Sequence, residues 1–200
     1  MSARGAAVSA RTPGRVVVIS SPSGGGKTTV VRRLLRGMPR LVRSVSVTTR
    51  PARGGERRGV DYEFVSPAAF ARLRRSGALL ESANVHGAWY GTPKRAVLDA
   101  IRGGRDAILS IDVQGARRIR RALGRRAVLI FLLPPSMDQL RQRLLRRRTD
   151  APAAIRRRLA AARRELACAS WYDHAIVNDR LSSTVARVKA VLRAPQRKGQ

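Results

Sequence analysis

Two hundred residues with 44% hydrophobic content allow one domain, or one domain carrying a small inserted or lid segment, around a real core. The 42 basic residues against 12 acidic ones leave a net charge of +30, yet apolar runs at 16–19 and 127–133 exclude a disordered polycation. No run is long enough for a membrane span, the single Cys168 excludes an internal disulfide, and two distant histidines, His86 and His174, argue against a zinc centre.

Taken in order, the first predicted strand covers residues 15–20 and ends in the Ser/Gly-rich stretch 20–26, after which a helix runs to Arg36. A second strand is predicted over 42–47. The Gly/Arg/Pro-rich stretch 50–59 interrupts the rhythm and leads to a short segment at 62–65. A helix over 67–75 turns Phe70 and Leu73 inward, small strands follow at 79–83 and 88–90, and Pro93 suits the first position of a helix over 93–101. Residues 107–111 and 128–133 are continuous apolar runs of the kind buried in parallel sheets. Helices at 136–146 and 153–167, a strand at 174–177 and a helix at 182–192 complete the series. Strand alternating with helix implies a three-layer α/β fold with a parallel sheet. The segment 50–91 breaks that pattern and reads as an insertion, 146–152 reads as a mobile loop, and residues 1–14 and 194–200 read as frayed tails. The first 14 residues lack the apolar stretch of a signal peptide, so a cytoplasmic location is expected.

Only four of the basic residues are lysines (Lys27, Lys94, Lys189 and Lys198), and the arginines are spread over nearly every helix-like stretch. A dedicated nucleic-acid surface would gather its charge on one stripe, so most arginines read as solvated faces. Non-specific binding to nucleic acid at low salt is still expected from the charge alone.

The decisive segment is Ser21-Pro22-Ser23-Gly24-Gly25-Gly26-Lys27-Thr28, an approximation to G-x-x-x-x-G-K-[ST] with Ser21 in place of the leading glycine. A β-branched strand precedes it and a helix begins within it. Glycines let backbone N–H groups turn inward, and the helix N-terminus adds positive potential for a phosphate. Lys27 then reaches the β- and γ-phosphates of a nucleotide, and the Thr28 hydroxyl meets Mg²⁺. The plainer alternative is an ordinary glycine-rich strand-to-helix turn.

Near the second strand and the loop it feeds stand Ser46, Arg50, Arg53 and Tyr62, two guanidinium forks and two hydroxyls suited to a phosphate monoester. The same insertion concentrates acid at Glu56, Asp61, Glu63 and Glu81. Glu81 can accept hydrogen bonds from guanine N1–H and its amino group, a pair adenine does not offer. Its alternative role is an ion pair with a nearby arginine. Tyr62 and Tyr90 also suit the packing of the insertion's small core.

From about Val16 to Leu192 the chain resembles the guanylate kinase family. The resemblance rests on six motifs in register: the loop from Ser21 to Thr28, Ser-Val-Ser-Val-Thr-Thr-Arg ending at Arg50, Gly-Glu-x-x-Gly-x-Asp-Tyr ending at Tyr62, Tyr-Gly-Thr-Pro from Tyr90, Ile-Asp-Val-Gln-Gly ending at Gly115, and Ile-Val-Asn-Asp ending at Asp179. It implies a P-loop NTPase three-layer sandwich over residues 15–193 with a parallel core sheet. The core would be 15–49 and 92–193, with a small GMP-binding α+β insertion at 50–91 and a lid at about 146–158. It further implies that Ser21, Pro22, Ser23, Gly24, Gly25, Gly26, Lys27, Thr28 and Thr29 hold ATP, with Asn178 and Asp179 on the ATP side. Ser46, Arg50, Arg53, Tyr62 and Tyr90 would hold the GMP phosphate, while Glu81 and Thr92 read guanine and Asp112 borders that pocket. Lys27, Arg53, Arg147 and Arg158 form the implied catalytic set, with Arg143 a further candidate at the transferring group. Ser110 stands where the family commonly has a carboxylate near the guanine, and its hydroxyl would still offer a bond to the base beside Glu81 and Thr92. Arg148 occupies the usual lid glycine and Ala88 a usual asparagine.

The reaction so implied is transfer of the ATP γ-phosphoryl group to GMP with Mg²⁺, which needs positioning and charge neutralisation rather than a general base. The rival expectations are a related P-loop kinase acting on a sugar phosphate such as ribose bisphosphate, a nucleic-acid-binding protein, and a catalytically inactive scaffold domain.

Overall fold

A computed structural model of the chain describes residues 13–85, 87–146 and 152–194. Its elements begin with β1 (Val16–Ser20), α1 (Lys27–Arg36), β2 (Leu41–Arg43), β3 (Val47–Thr48), β4 (Glu63–Phe64) and α2 (Pro67–Arg75). Then come β5 (Leu79–Val85), β6 (Ala88–Pro93), α3 (Lys94–Arg102), β7 (Asp106–Ser110) and α4 (Val113–Leu123). The last are β8 (Ala127–Leu133), α5 (Met137–Arg146), α6 (Pro152–Ala167), β9 (His174–Val177) and α7 (Leu181–Arg193).

Five strands form a parallel sheet in the order β2-β7-β1-β8-β9, with β1 at its centre. Successive side chains of a strand point to opposite faces, and β1 divides accordingly. Val16 and Val18 join a cluster with Val97 and Ala100 of α3 and Ile119 of α4. Val17 and Ile19 join another with Val30 and Leu34 of α1 and Val188 and Leu192 of α7. All four β1 residues are essentially without solvent contact. A strand buried on both sides explains why 16–19 is apolar throughout instead of alternating, and the helices on the two faces make the three layers. No helix among the described residues is long and apolar enough to cross a membrane.

A second sheet, ordered β4-β3-β6-β5, stands apart from the first in pairing. β5 and β6 are an antiparallel hairpin turning at Gly87 (φ 87°), β3 runs antiparallel to β6, and β4 runs parallel to β3. Its strands run from Val47 to Pro93, against an insertion expected over 50–91.

The single strand expected at 42–47 is two strands in different sheets. β2 pairs with β7 as far as Arg43↔Ile108, and β3 then pairs with β6 and β4. Ser and Val alternate over 44–47 while Val42 falls out of phase with Val45 and Val47, and such a break marks a change of face without naming a new partner strand. The stretch between 111 and 128, given no element above, holds α4. Asp112 caps it, accepting the Gly115 N–H at 2.9 Å, and Gly115, Ala116 and Ile119 form its buried stripe. Pro93 precedes α3 at the cap position instead of opening it. Arg147 and the rest of 147–151, together with His86 and the outer tails, lie outside the described residues, and residues 152–158 of the expected lid form the start of α6.

Candidate active site

The turn between β1 and α1 is built for close backbone approach. Gly24 and Gly26 hold φ of 88° and 92°, a region that side-chain-bearing residues rarely adopt. A Cβ at Gly26 would also stand 2.5 Å from the Asn178 side-chain nitrogen. That nitrogen donates to the Gly25 carbonyl at 2.7 Å, so the end of β9 braces the loop from behind. Lys27 Nζ reaches back across the loop to Ser21 Oγ at 3.2 Å and to the Ser21 carbonyl. Ser66 caps α2 and Asp112 caps α4, while α1, like α3 and α7, has no side-chain cap; α1 differs in starting from a glycine loop that lines a cavity. The first-turn N–H groups of α1 are therefore left for an external acceptor, and an anion is the natural one.

One cavity of about 210 Å³ gathers most of the expected residues. All of 21–29 line it, and so do Ser46, Arg53, Tyr62, Glu81, Tyr90, Ser110, Asp112 and Arg158. Strand periodicity explains part of this grouping, because Glu81, Ala83 and Val85 share one face of β5 and all three line the cavity. A larger neighbouring cleft, about 580 Å³, lies between Asn84 of the hairpin, the start of α4 and α6, and shares Val85, Asp112 and Glu165 with the first. It carries no glycine-loop residue, so the smaller cavity is the better centre for chemistry on a phosphate.

Five expected residues among those described stand outside that wall. Arg50 lies behind it: its Nε donates to Tyr90 Oη at 3.1 Å and its Nη2 to Glu56 at 2.9 Å. Burial opposes the charge on Arg50, but these hydrogen bonds outweigh it and its pKa is raised. The other Glu56 oxygen accepts the Arg53 backbone N–H at 2.8 Å, while the Arg53 side chain is exposed into the cavity. Sequence spacing treats Arg50 and Arg53 alike; Glu56 separates them into an inner brace and a cavity-facing fork. Thr92 is fully buried and donates to Glu81 Oε1 at 2.6 Å. Asn178 braces the loop, and Asp179 is exposed and paired with Arg187 at 2.9 Å. Arg143 donates to the Asn178 carbonyl at 3.2 Å.

Two acids to which the motif reading assigned no role belong to this region. Asp61 is 3% exposed and accepts from the Arg57 N–H, from Arg32 of α1 and, at 4.0 Å, faces Arg43 of β2, which ties the 50–62 loop to the core. The Arg57 N–H bond and those arginines hold its carboxyl below the usual range. Glu165 lines both cavities, and burial raises its pKa against the opposing pull of Lys27. Its signal in the sequence is that it is the one acid in the arginine-rich 152–167.

Burial pushes the Glu81 carboxyl up to about 7; the Thr92 bond opposes that shift and the charge of Asp112 adds to it. The side chain is 6% exposed. A folded pKa above the ordinary 4.5 means the protonated acid is favoured on folding. The associated stability is present below about pH 4.5 and lost as pH rises through 7. Glu81→Gln, which does not ionise, is expected to stabilise the protein at pH 8 by up to ~3 kcal/mol, from 1.36 kcal/mol per pKa unit, and to be nearly neutral at pH 4.5. Denaturant melts at the two pH values check this; an equal gain at both would remove burial of the charge as the cause.

The family model described as guanylate kinase matches residues 13–195. A guanylate kinase from Nitratidesulfovibrio vulgaris is 50% identical over 177 residues, covering 88% of this chain and 85% of the relative. One from Anaeromyxobacter dehalogenans is 45% identical over 189 residues, covering 94% and 84%. The crystal structure of guanylate kinase from Anaplasma phagocytophilum superposes with a TM-score of 0.80 at 38% identity, covering 94% of this chain and 89% of that one. A gluconokinase from Sinorhizobium meliloti, at 15% identity and a TM-score of 0.50, shares the fold alone.

Proposed function

This chain belongs to the guanylate kinase family, and from that premise we propose that it transfers the γ-phosphoryl group of ATP to GMP with the residues gathered at its central cavity. The observation that carries this reading is that one cavity is lined both by the glycine loop with Lys27 and by Ser46, Arg53, Tyr62 and Tyr90, with buried Glu81 between the hairpin and α4.

The donor phosphates lie against the uncapped start of α1, where backbone N–H groups and the helix dipole meet negative charge. Lys27 adds a full positive charge at the β- and γ-oxygens. Asn178 acts on the donor side by fixing the loop, and Asp179 serves the β9–α7 corner instead of the nucleotide. Family chemistry is generally Mg²⁺-dependent, and the exposed Thr28 hydroxyl in the first turn of α1 fits that ion, which needs few protein ligands when phosphates and water supply the rest. Bound with ATP, the ion neutralises charge on the phosphate oxygens.

The acceptor phosphate is held by the Arg53 fork with the Ser46, Tyr62 and Tyr90 hydroxyls. Burial raises the Tyr62 pKa, so its phenol remains a donor at neutral pH. Arg50 works through Tyr90: by donating to that oxygen it leaves the phenolic hydrogen to point at the phosphate. Glu81, held by Thr92, accepts from guanine N1–H and the amino group, with Ser110 and Asp112 at the border. Thr92 thus acts by orienting Glu81. The attacking phosphate oxygen is already ionised, so no base is required, and Arg158, with Arg147, neutralises charge as the group passes between the two phosphates. Water has to be kept from the site during transfer, since it would otherwise compete with GMP as acceptor. The +30 charge gives non-specific nucleic-acid binding at low salt, falling steeply as salt rises.

ADP release measured with ATP, Mg²⁺ and a panel of GMP, AMP, dTMP and ribose bisphosphate tests the reading. GMP is expected to dominate. Faster turnover of the sugar phosphate would move the protein to the rival kinase activity.

A further inference from the structure

Gly115 is a glycine that its own backbone does not require. It is the third residue of α4, its φ is not in the left-handed region, and its N–H is held by the Asp112 cap at 2.9 Å. In such a position glycine is a poor helix residue and alanine a good one. A residue that works against local propensity points to a tertiary demand.

The demand is visible in what a Cβ would meet. It would lie 2.8 Å from Glu81 Oε2, 3.2 Å from the carboxyl carbon of Glu81 and 3.2 Å from Ile111 Cδ1. Contacts below 3.0 Å force a shift. Glu81 has little room to retreat, because Thr92 holds its other oxygen at 2.6 Å from the neighbouring strand and the side chain is 6% exposed. Pairing of Glu81 opposite Thr92 in the β5–β6 ladder, next to a register shift between Leu79 and Glu81, fixes where that side chain starts. The carboxylate is thus wedged between the Thr92 hydroxyl and the bare backbone of α4.

We propose that Gly115 is a specificity-positioning residue: its missing side chain lets the Glu81 carboxylate seat against the first turn of α4 and so sets the acceptor edge shown to the base of the substrate. This rests on the reading of Glu81 as the guanine contact. Gly115 touches neither substrate. It acts by deciding where Glu81 ends.

The test is a double-mutant cycle with Gly115→Ala and Glu81→Ala, read by steady-state kinetics, GMP titration and thermal melts. Gly115→Ala alone is expected to raise the GMP KM about tenfold or more while leaving the ATP KM within about twofold, the split expected when one subsite is displaced. It should lower Tm in the parent protein. In the Glu81→Ala background the loss of Tm should shrink or reverse, since no carboxylate is left to strike, only Ile111 Cδ1 at 3.2 Å has to give, and helix propensity is gained; GMP affinity should no longer respond to the substitution. An unchanged GMP KM in Gly115→Ala overturns the proposal. So does an equal effect of Gly115→Ala with and without Glu81. Glu81→Gln tells the two levels apart: if it leaves GMP binding intact, the Glu81 reading itself falls. If it weakens GMP binding while Gly115→Ala does not, Gly115 alone is wrongly assigned.

Discussion

Lys27→Ala is expected to lower kcat by at least about a hundredfold, which corresponds to ~2.7 kcal/mol of lost transition-state stabilisation. Lys27 is the first residue of α1, directly after Gly26 at φ 92°, and that turn sends its side chain back over the loop towards Ser21. The charge sits where the donor's terminal phosphates meet the uncapped helix start. Charge on those oxygens grows and shifts as the bond to the leaving phosphate breaks, so the lysine is worth more in the transition state than in the bound ground state. The fall should accordingly appear mainly in kcat, with a smaller rise in the ATP KM and little change in the GMP KM. Thermal melts of the purified variant separate lost chemistry from lost folding. Near-normal turnover by a folded Lys27→Ala protein would overturn the phosphate-loop assignment.

Arg53→Ala is expected to cost a comparable factor, about a hundredfold or more in kcat/KM for GMP, with the ATP KM unchanged. The argument depends on Glu56. One Glu56 oxygen takes the Arg50 guanidinium and the other takes the Arg53 backbone N–H. Arg50 and the Arg53 N–H pull the Glu56 carboxyl below its ordinary range despite partial burial, so it stays a carboxylate across neutral pH. The Arg53 side chain is left extending into the cavity, where its planar fork can bind two oxygens of a phosphate at once. Arg53→Lys keeps the charge and loses the fork, so it should recover only part of the activity. If Arg53→Ala raised the ATP KM as much as the GMP KM, its place on the acceptor side would be wrong.

Much of this site was legible before any coordinates, and the reasons are local. Residues 21–28 are contiguous, and a β-branched strand, a glycine turn and a helix start with a lysine at its head suffice to fold them into a phosphate cradle. Alternation in the strand expected at 79–83 brings Glu81 and Ala83 to one face whatever that face meets, and the observed β5 extends it to Val85. Other features were legible only as composition. Glu56 and Asp61 stood out as acid in a basic chain, but nothing in their spacing says that one sorts Arg50 from Arg53 and the other ties a loop to Arg32 of α1.

By itself, then, the sequence determined the layered α/β plan, the loop at 21–29 and the set of groups able to meet two phosphates and a base. Periodicity and turn chemistry act over a few residues, and a strand or helix reports them directly. The tertiary structure alone decided that 42–47 divides between two sheets, that Thr92 stands behind Glu81, that Asn178 braces Gly25 instead of facing outward, and that Gly115 meets a carboxylate from another element. Each of these depends on the register and closeness of elements far apart in the chain. Such contacts are set by packing to within about an ångström, a precision that local propensity does not carry.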